Sequence, residues 1–254
     1  VGGLQAMRRA GRRRRDLAGM TPVAQLRAIE ERVRAMTLQQ EGVYAELEQS
    51  LAAQGHRRVQ PDDCTPRQLA HLEHYVEQEL LPVFSPVAVL APPAPFPLLP
   101  PLALHLAVRL RGADGERQDR FALVALRGAA GRFVTLPADE GFAYMLIEDV
   151  VRMHLDRWFP GQEVRDAAAF RVTRDADMSV REDEAPDLLS GMEGVLEERK
   201  ASPCVRLEVE QACSRPLLSF LQKSLDVRSS DVYASSAPIY LGDFMRLAFV
   251  DGFD

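Results

Sequence analysis

Apolar residues recur at helical intervals through the first third of the chain, and beyond residue 101 the interval drops to two. Leu4, Met7, Ala10, Gly11 and Leu17 keep near-helical spacing, so the first element reads as the end of a helix that begins upstream of Val1 and is closed by Gly19. Thr21 then offers an N-cap oxygen and Pro22 suits a first turn. Leu26, Ile29, Val33, Met36, Val43 and Leu47 follow in a seven-residue repeat interrupted at Gln40, which predicts a helix over residues 22–54. At the helical rise it would be roughly 50 Å long. Thr65 and Gln68 have capping-box spacing ahead of Leu69, Leu72, Val76 and Leu80, predicting a third helix. Three narrow apolar stripes of this kind read as part of an antiparallel helical bundle.

Six prolines between residues 92 and 101 forbid a helix or a central strand there and mark a boundary. After it Leu102, Leu104, Leu106, Val108 and Leu110 alternate with Ala103, His105, Ala107 and Arg109, the pattern of a half-buried strand with His105 on its polar face. Turn signals at Asp114-Gly115 and at residues 128–131 separate it from strands at 120–127 and 133–136, which suggests an antiparallel meander. The apolar face Leu146, Ile147, Val150, Val151, His154, Leu155 and Trp158 predicts a helix ending at Pro160-Gly161. Strands at 170–174 and 204–210 and helices near 186–200, 215–225 and 240–249 complete the reading. The expected class is α+β: a helical N-terminal domain over residues 1–90, a Pro-rich linker over 91–101, and over 102–254 a mainly antiparallel sheet with helices packed on one face.

Of the 254 residues, 46% are hydrophobic and 27% charged, a globular balance that argues against disorder. The longest apolar run, residues 84–107, is broken by seven prolines and predicts no membrane span. No basic stretch precedes a hydrophobic one at the start, so no secretory signal is expected, and the opening Val1 suggests a fragment. Cys64, Cys204 and Cys213 lack Cys-x-x-Cys or zinc spacing and read as reduced thiols. The net charge of −6 is uneven, because residues 1–34 hold nine arginines against three acids.

Phosphate-binding signatures are missing. Lys200 and Lys223 are the two lysines and neither follows a glycine, which excludes a P-loop. His71 and His74 sit one helical turn apart with no third ligand apparent, His154 lies on an apolar helix face, and His56 belongs to a loop. Asp175 and Asp177 beside Arg171 and Arg174 could hold Mg²⁺ and phosphate, or could simply end a strand in an acidic turn, and the second reading is favoured for want of further ligands. Glu182, Asp183 and Glu184 fit a helix N-terminus. Arg8 and the run Arg12, Arg13, Arg14 and Arg15 are the strongest electrostatic feature. On a helix they would point all round the axis, either as solvated charge or as a polyanion-binding surface.

Several short stretches, in order, carry a family resemblance. Phe142-Ala-Tyr-Met-Leu-Ile-Glu-Asp149, Leu155-Asp-Arg-Trp-Phe-Pro-Gly161, the motif running from Phe170 through Arg174 and Asp175 to Asp177, and Asp231-Val-Tyr233 followed by Ala237-Pro-Ile239 resemble the head domain of the long-chain polyphosphate kinases. Val1-Gly-Gly-Leu4 and the long helix pair resemble that family's helical N-terminal domain. Ala237-Pro-Ile239 departs from the family's usual Gly-Pro-Leu, and the Pro-rich linker is atypical.

The resemblance implies that the intact protein moves the terminal phosphate of ATP reversibly onto inorganic polyphosphate through a phosphohistidine, with Mg²⁺. None of the five histidines matches the phosphorylated position, which is expected in C-terminal catalytic domains of the same protein, so no catalytic residue, ATP site or metal site is assigned to this chain. The implied role of the chain is homodimerisation through the head domain and framing of the polyphosphate passage, in a cytoplasmic or membrane-associated protein. Phe170, Arg174, Asp175, Asp177, Asp231 and Tyr233 are expected to be structural. A polyanion-binding scaffold, holding polyphosphate or RNA with the arginine-rich N-terminal helix, is the alternative, and a dimerisation protein without a ligand is a third reading.

Overall fold

The computed structural model describes residues 1–89, 96–112, 119–126, 131–175 and 202–249. The turns expected at Asp114-Gly115 and residues 128–131, the helix expected near 186–200, Asp177 and the acidic cluster at 182–184 lie partly or wholly outside them.

Helix α1 (Gly2–Arg9) stops well short of Gly19. Gly11, at φ +65°, supplies the left-handed residue that closes it: the Gly11 N–H donates to the Arg8 carbonyl at 3.0 Å and the Arg12 N–H to the Met7 carbonyl at 2.9 Å. That is a Schellman closure, and it falls at Gly11 rather than at the expected Gly19 because Gly11 is the first residue after Arg9 able to take the left-handed conformation without strain. As a result the segment 12–16 lies outside any helix or strand, contrary to the helical expectation for the arginine run. Helix α2 (Pro22–Ala53) begins where expected, with Thr21 Oγ1 accepting from the Ala24 N–H at 3.2 Å. Helix α3 (Pro66–Tyr75) carries the full capping box of Thr65 and Gln68 and runs into a π-helical turn at Val76–Leu80.

The repeat along α2 faces the body of the molecule only at its start, where Leu26 is buried and Ile29 and Val33 are half-buried. Met36, Val43 and Leu47 are 53%, 56% and 57% exposed. A polar stripe about a quarter-turn round, through Arg34, Thr37, Glu41, Tyr44 and Glu48, meets the sheet instead. Helix α1 packs on α2, and α3 packs against the strand Phe133–Leu136.

Among the described residues nine strands form two sheets. The smaller has the order β1-β6-β5, from β1 (His56–Arg58), β6 (Phe142–Leu146) and β5 (Phe133–Leu136). The larger has the order β2-β4-β3-β7-β8-β9, from β2 (Val87–Val89), β4 (Arg120–Ala125), β3 (Leu104–Leu110), β7 (Val164–Arg174), β8 (Cys204–Glu210) and β9 (Val232–Ser235). Pairing is antiparallel except for β1 with β6 and β8 with β9. The expected α+β class and the β3-β4 hairpin are present. The meander does not continue, because β5 leaves the larger sheet and pairs with β6. Strand β6 occupies the stretch ahead of the expected helix, which is divided into α4 (Ile147–Met153) and α5 (Leu155–Trp158).

Strand β3 lies between two cores. Leu104, Leu106, Val108 and Leu110 belong to a core shared with the smaller sheet, α3 and α4. Ala107, with Phe170 and Val172 of β7, packs under α6 (Arg215–Leu225). His105 is therefore 1% exposed rather than on a polar face, its Nδ1 within 3.0 Å of the Ala103 carbonyl and its ring against Phe170. A central strand covered on both faces has no wet side, so its small alternate residues signal close helix packing. Among the described residues no helix is long and apolar enough to cross a membrane.

Candidate functional site

The chemistry-bearing motifs converge on the seam where α1 and α2 meet the β7, β8 and β9 end of the larger sheet. Phe170 of β7 is fully buried in the core beneath that end. Four residues on, Arg174 turns into the protein and donates to the Ser202 carbonyl at 2.6 Å and the Leu99 carbonyl at 3.4 Å, and burial lowers its pKa. The Asp175 N–H donates to the Pro203 carbonyl at 3.0 Å, and its carboxylate abuts Gly2 at the start of α1, where negative charge complements the helix dipole.

Asp231 sits at the other end of α1. It pairs with Arg8 at 3.7 Å and accepts a hydrogen bond from Gln5, whose amide also reaches the Val205 carbonyl. Burial raises the Asp231 pKa, against the lowering effect of Arg8. The adjacent Tyr233 ring lies between two guanidinium groups, Arg206 of β8 at 4.2 Å and Arg34 of α2 at 5.0 Å from its centroid. Cation–π contacts in a partly desolvated seam are each worth about 0.5–2 kcal/mol, so this ring fastens helix α2 to strand β8.

Beside it opens a cleft of about 260 Å³ lined by Thr37 and Glu41 of α2, Arg171, Arg206, Glu208 and Tyr240. Arg171 contacts Glu208 at 2.6 Å while stacking on Tyr240, and Arg206 reaches the second Glu208 oxygen at 2.9 Å. Glu41 accepts from the Ser236 hydroxyl at 2.8 Å. The two guanidinium charges in the cleft are thus balanced by two carboxylates, and no histidine lines it. Both guanidinium groups are engaged by Glu208, so the cleft joins β7 to β8 beside α2.

A second set of charged residues, passed over in the sequence, ties the two sheets together. Arg58 of β1 bonds Asp149 at 2.9 Å, Asp149 bonds Arg152 at 2.8 Å, and Arg152 holds both Glu210 oxygens at 2.6 Å. Glu210 also accepts from the Ala169 N–H. Burial raises the Glu210 pKa, with Arg152 opposing it; burial also disfavours the Arg58 charge, but Asp149 and Tyr44 outweigh it and the Arg58 pKa rises. Next to this chain, Arg132 meets Glu148 at 2.7 Å and the Tyr240 carbonyl at 2.7 Å. The available signal was Glu148-Asp149 itself: two acids inside the apolar run from Phe142 to Val151 must be buried and paired.

Arg12, Arg13, Arg14 and Arg15 are exposed on the α1–α2 connection and are not brought together with these motifs. Among the described residues no three His, Cys, Asp or Glu side chains are placed to hold a metal ion.

Residues 67–247 match the family model described as polyphosphate kinase middle domain. The chain is 32% identical to the polyphosphate kinase of Halalkalibacterium halodurans over 97% of its own length and 36% of that protein. It is 34% identical to that of Streptomyces coelicolor over 99% of its length and 33% of the relative. It therefore spans about a third of these proteins. Its fold matches the crystal structure of polyphosphate kinase from Porphyromonas gingivalis with a TM-score of 0.67 at 23% identity, over 86% of this chain and 32% of that one.

Proposed function

The chain belongs to the polyphosphate kinase family, and from that premise we propose that it is the helical N-terminal and middle portion of an enzyme that, when intact, moves the terminal phosphate of ATP reversibly onto inorganic polyphosphate. The phosphorylated histidine and the sites for ATP and Mg²⁺ belong to the rest of that enzyme. The described residues of this chain do not fit a metal site. The chain itself serves as scaffold: it supports a homodimer through its head domain and frames the passage of the polymer, in the cytoplasm or at a membrane surface.

One observation carries the scaffold reading. The side chains of the family motifs are taken up by internal partners: Asp231 by Arg8 of α1, Tyr233 by Arg34 of α2 and Arg206 of β8, and Arg171 by Glu208 of the neighbouring strand. The histidines have internal partners as well: His71 meets the Thr135 carbonyl and His154 the Val150 carbonyl. The test is an assay of the 254-residue chain for ATP-dependent polyphosphate synthesis and radiophosphate labelling, beside the intact protein. The chain is expected to be silent and the intact protein active. Turnover by the chain alone, or a stable phosphohistidine at any of its five histidines, would refute the reading.

A further inference from the structure

We propose that residues 9–15 form a strap that binds a linear, base-free phosphate polymer, inorganic polyphosphate, on the outside of the helical layer. Arg9, Arg12, Arg13 and Arg14 are exposed, and among the described residues none of them has an acidic partner. The ends of the segment are fixed while these side chains extend outward. Arg8 is held by Asp231, the Arg12 N–H is bonded to the Met7 carbonyl, and Arg15 donates to the Gly19 carbonyl. Asp16, the one acid close by in sequence, is turned onto the Met20 N–H at 2.8 Å.

Four cations on a tethered backbone pay little ordering entropy on engaging an anion, and a guanidinium fork matches phosphate oxygens in two-point contact. The segment lacks what would favour nucleic acid. There is no Phe, Tyr or Trp before Tyr44, so no aromatic side chain in this part of the sequence can stack a base. The choice of polymer rests on the family reading; the arrangement of charge does not.

The experiment is binding of end-labelled long-chain polyphosphate to the 254-residue chain across a salt series. It compares the R12Q/R13Q/R14Q variant with R27Q/R32Q/R246Q, which removes the same charge from exposed positions elsewhere. Loss of three phosphate contacts should weaken binding on the order of tenfold at low salt and lower the log–log salt slope by about 2. The control should stay within about twofold of the parent, and charge-matched oligouridylate should bind more weakly than polyphosphate. Equal losses in the two variants would leave only net charge and overturn the strap. Equal or tighter oligouridylate binding would overturn the base-free ligand. Urea midpoints matched to the parent establish that both variants fold. Synthesis by the intact protein separates the two readings: an inactive intact protein whose strap still binds overturns the family activity, and an active one with an indifferent strap overturns this inference.

Discussion

The carboxylate of Asp175 fills the space that a Cβ on Gly2 would occupy. A strand end and a helix start, 173 positions apart in the chain, are in contact because one has no side chain and the other has a short anionic one. Gly2→Ala should evict the carboxylate from the α1 N-terminus and cost about 1 kcal/mol, the usual size of a lost terminal charge and contact. In an Asp175→Ala background the same change should cost almost nothing. Urea titrations of the four proteins give the coupling, and additive losses would refute the contact.

Gly141 has φ +71°, and a Cβ there would run into the Gly55 backbone, whose carbonyl accepts the Phe142 N–H at 2.8 Å. Backbone cannot step aside as a side chain can. Gly141→Ala should destabilise the protein by roughly 2–4 kcal/mol, combining left-handed strain with the clash. A thermal melt within a degree of the parent would contradict this.

Arg132 and Glu148 have side chains 7% and 4% exposed. Glu148→Ala leaves a buried guanidinium without its main partner and is expected to cost about 3–5 kcal/mol, whereas Arg132→Met with Glu148→Leu should recover much of that loss. Comparing the urea midpoints of the single and paired variants decides it. If the pair is no better than Glu148→Ala alone, loss of shape rather than unpaired charge is the cause.

Burial pushes the Tyr144 hydroxyl up to about 12, with Glu48 adding to the rise, and pushes the Cys213 thiol up to about 12, with Asp166 and Glu210 adding. Both groups are neutral when protonated, so folding favours the protonated form. The stability they contribute is complete below their unfolded values of about 9–10 and is lost as pH rises towards 12. Urea midpoints measured between pH 8 and pH 11.5 should fall on the alkaline side, and the fall should be shallower in Tyr144→Phe and Cys213→Ala. Identical slopes in all three proteins would contradict the assignment.

Local rules read the chain well wherever one element decides its own boundaries. The Thr65 and Gln68 box, the Thr21-Pro22 start, strand Cys204–Glu210 and helix Arg215–Leu225 all rest on caps or alternation within a few residues. The failures share a different cause. Strands β1 and β9 are three and four residues long and are strands because of their neighbours, Arg58 beside Tyr144 and Tyr233 beside Glu208. The alternation around His105 predicts a polar face and yet the residue is buried, because an alternating pattern does not say whether its smaller face is covered. The seam was legible as motif and not as geometry: Asp231 and Tyr233 stood out in the sequence, but their partners Arg8, Arg34 and Arg206 lie up to 223 residues away.

Trp158, the single tryptophan, donates its indole N–H to the Phe84 carbonyl at 2.8 Å while packing on the core between the sheets. The chain thus carries one tryptophan emitter, distinguishable from its five tyrosines by its longer-wavelength excitation and bonded across the junction between the segment after α3 and the end of α5. Its emission reads the closure of that joint without a label. Ligands on the distant arginine strap should leave the spectrum unchanged, so one cuvette can separate surface capture of a polymer from separation of the layers beneath.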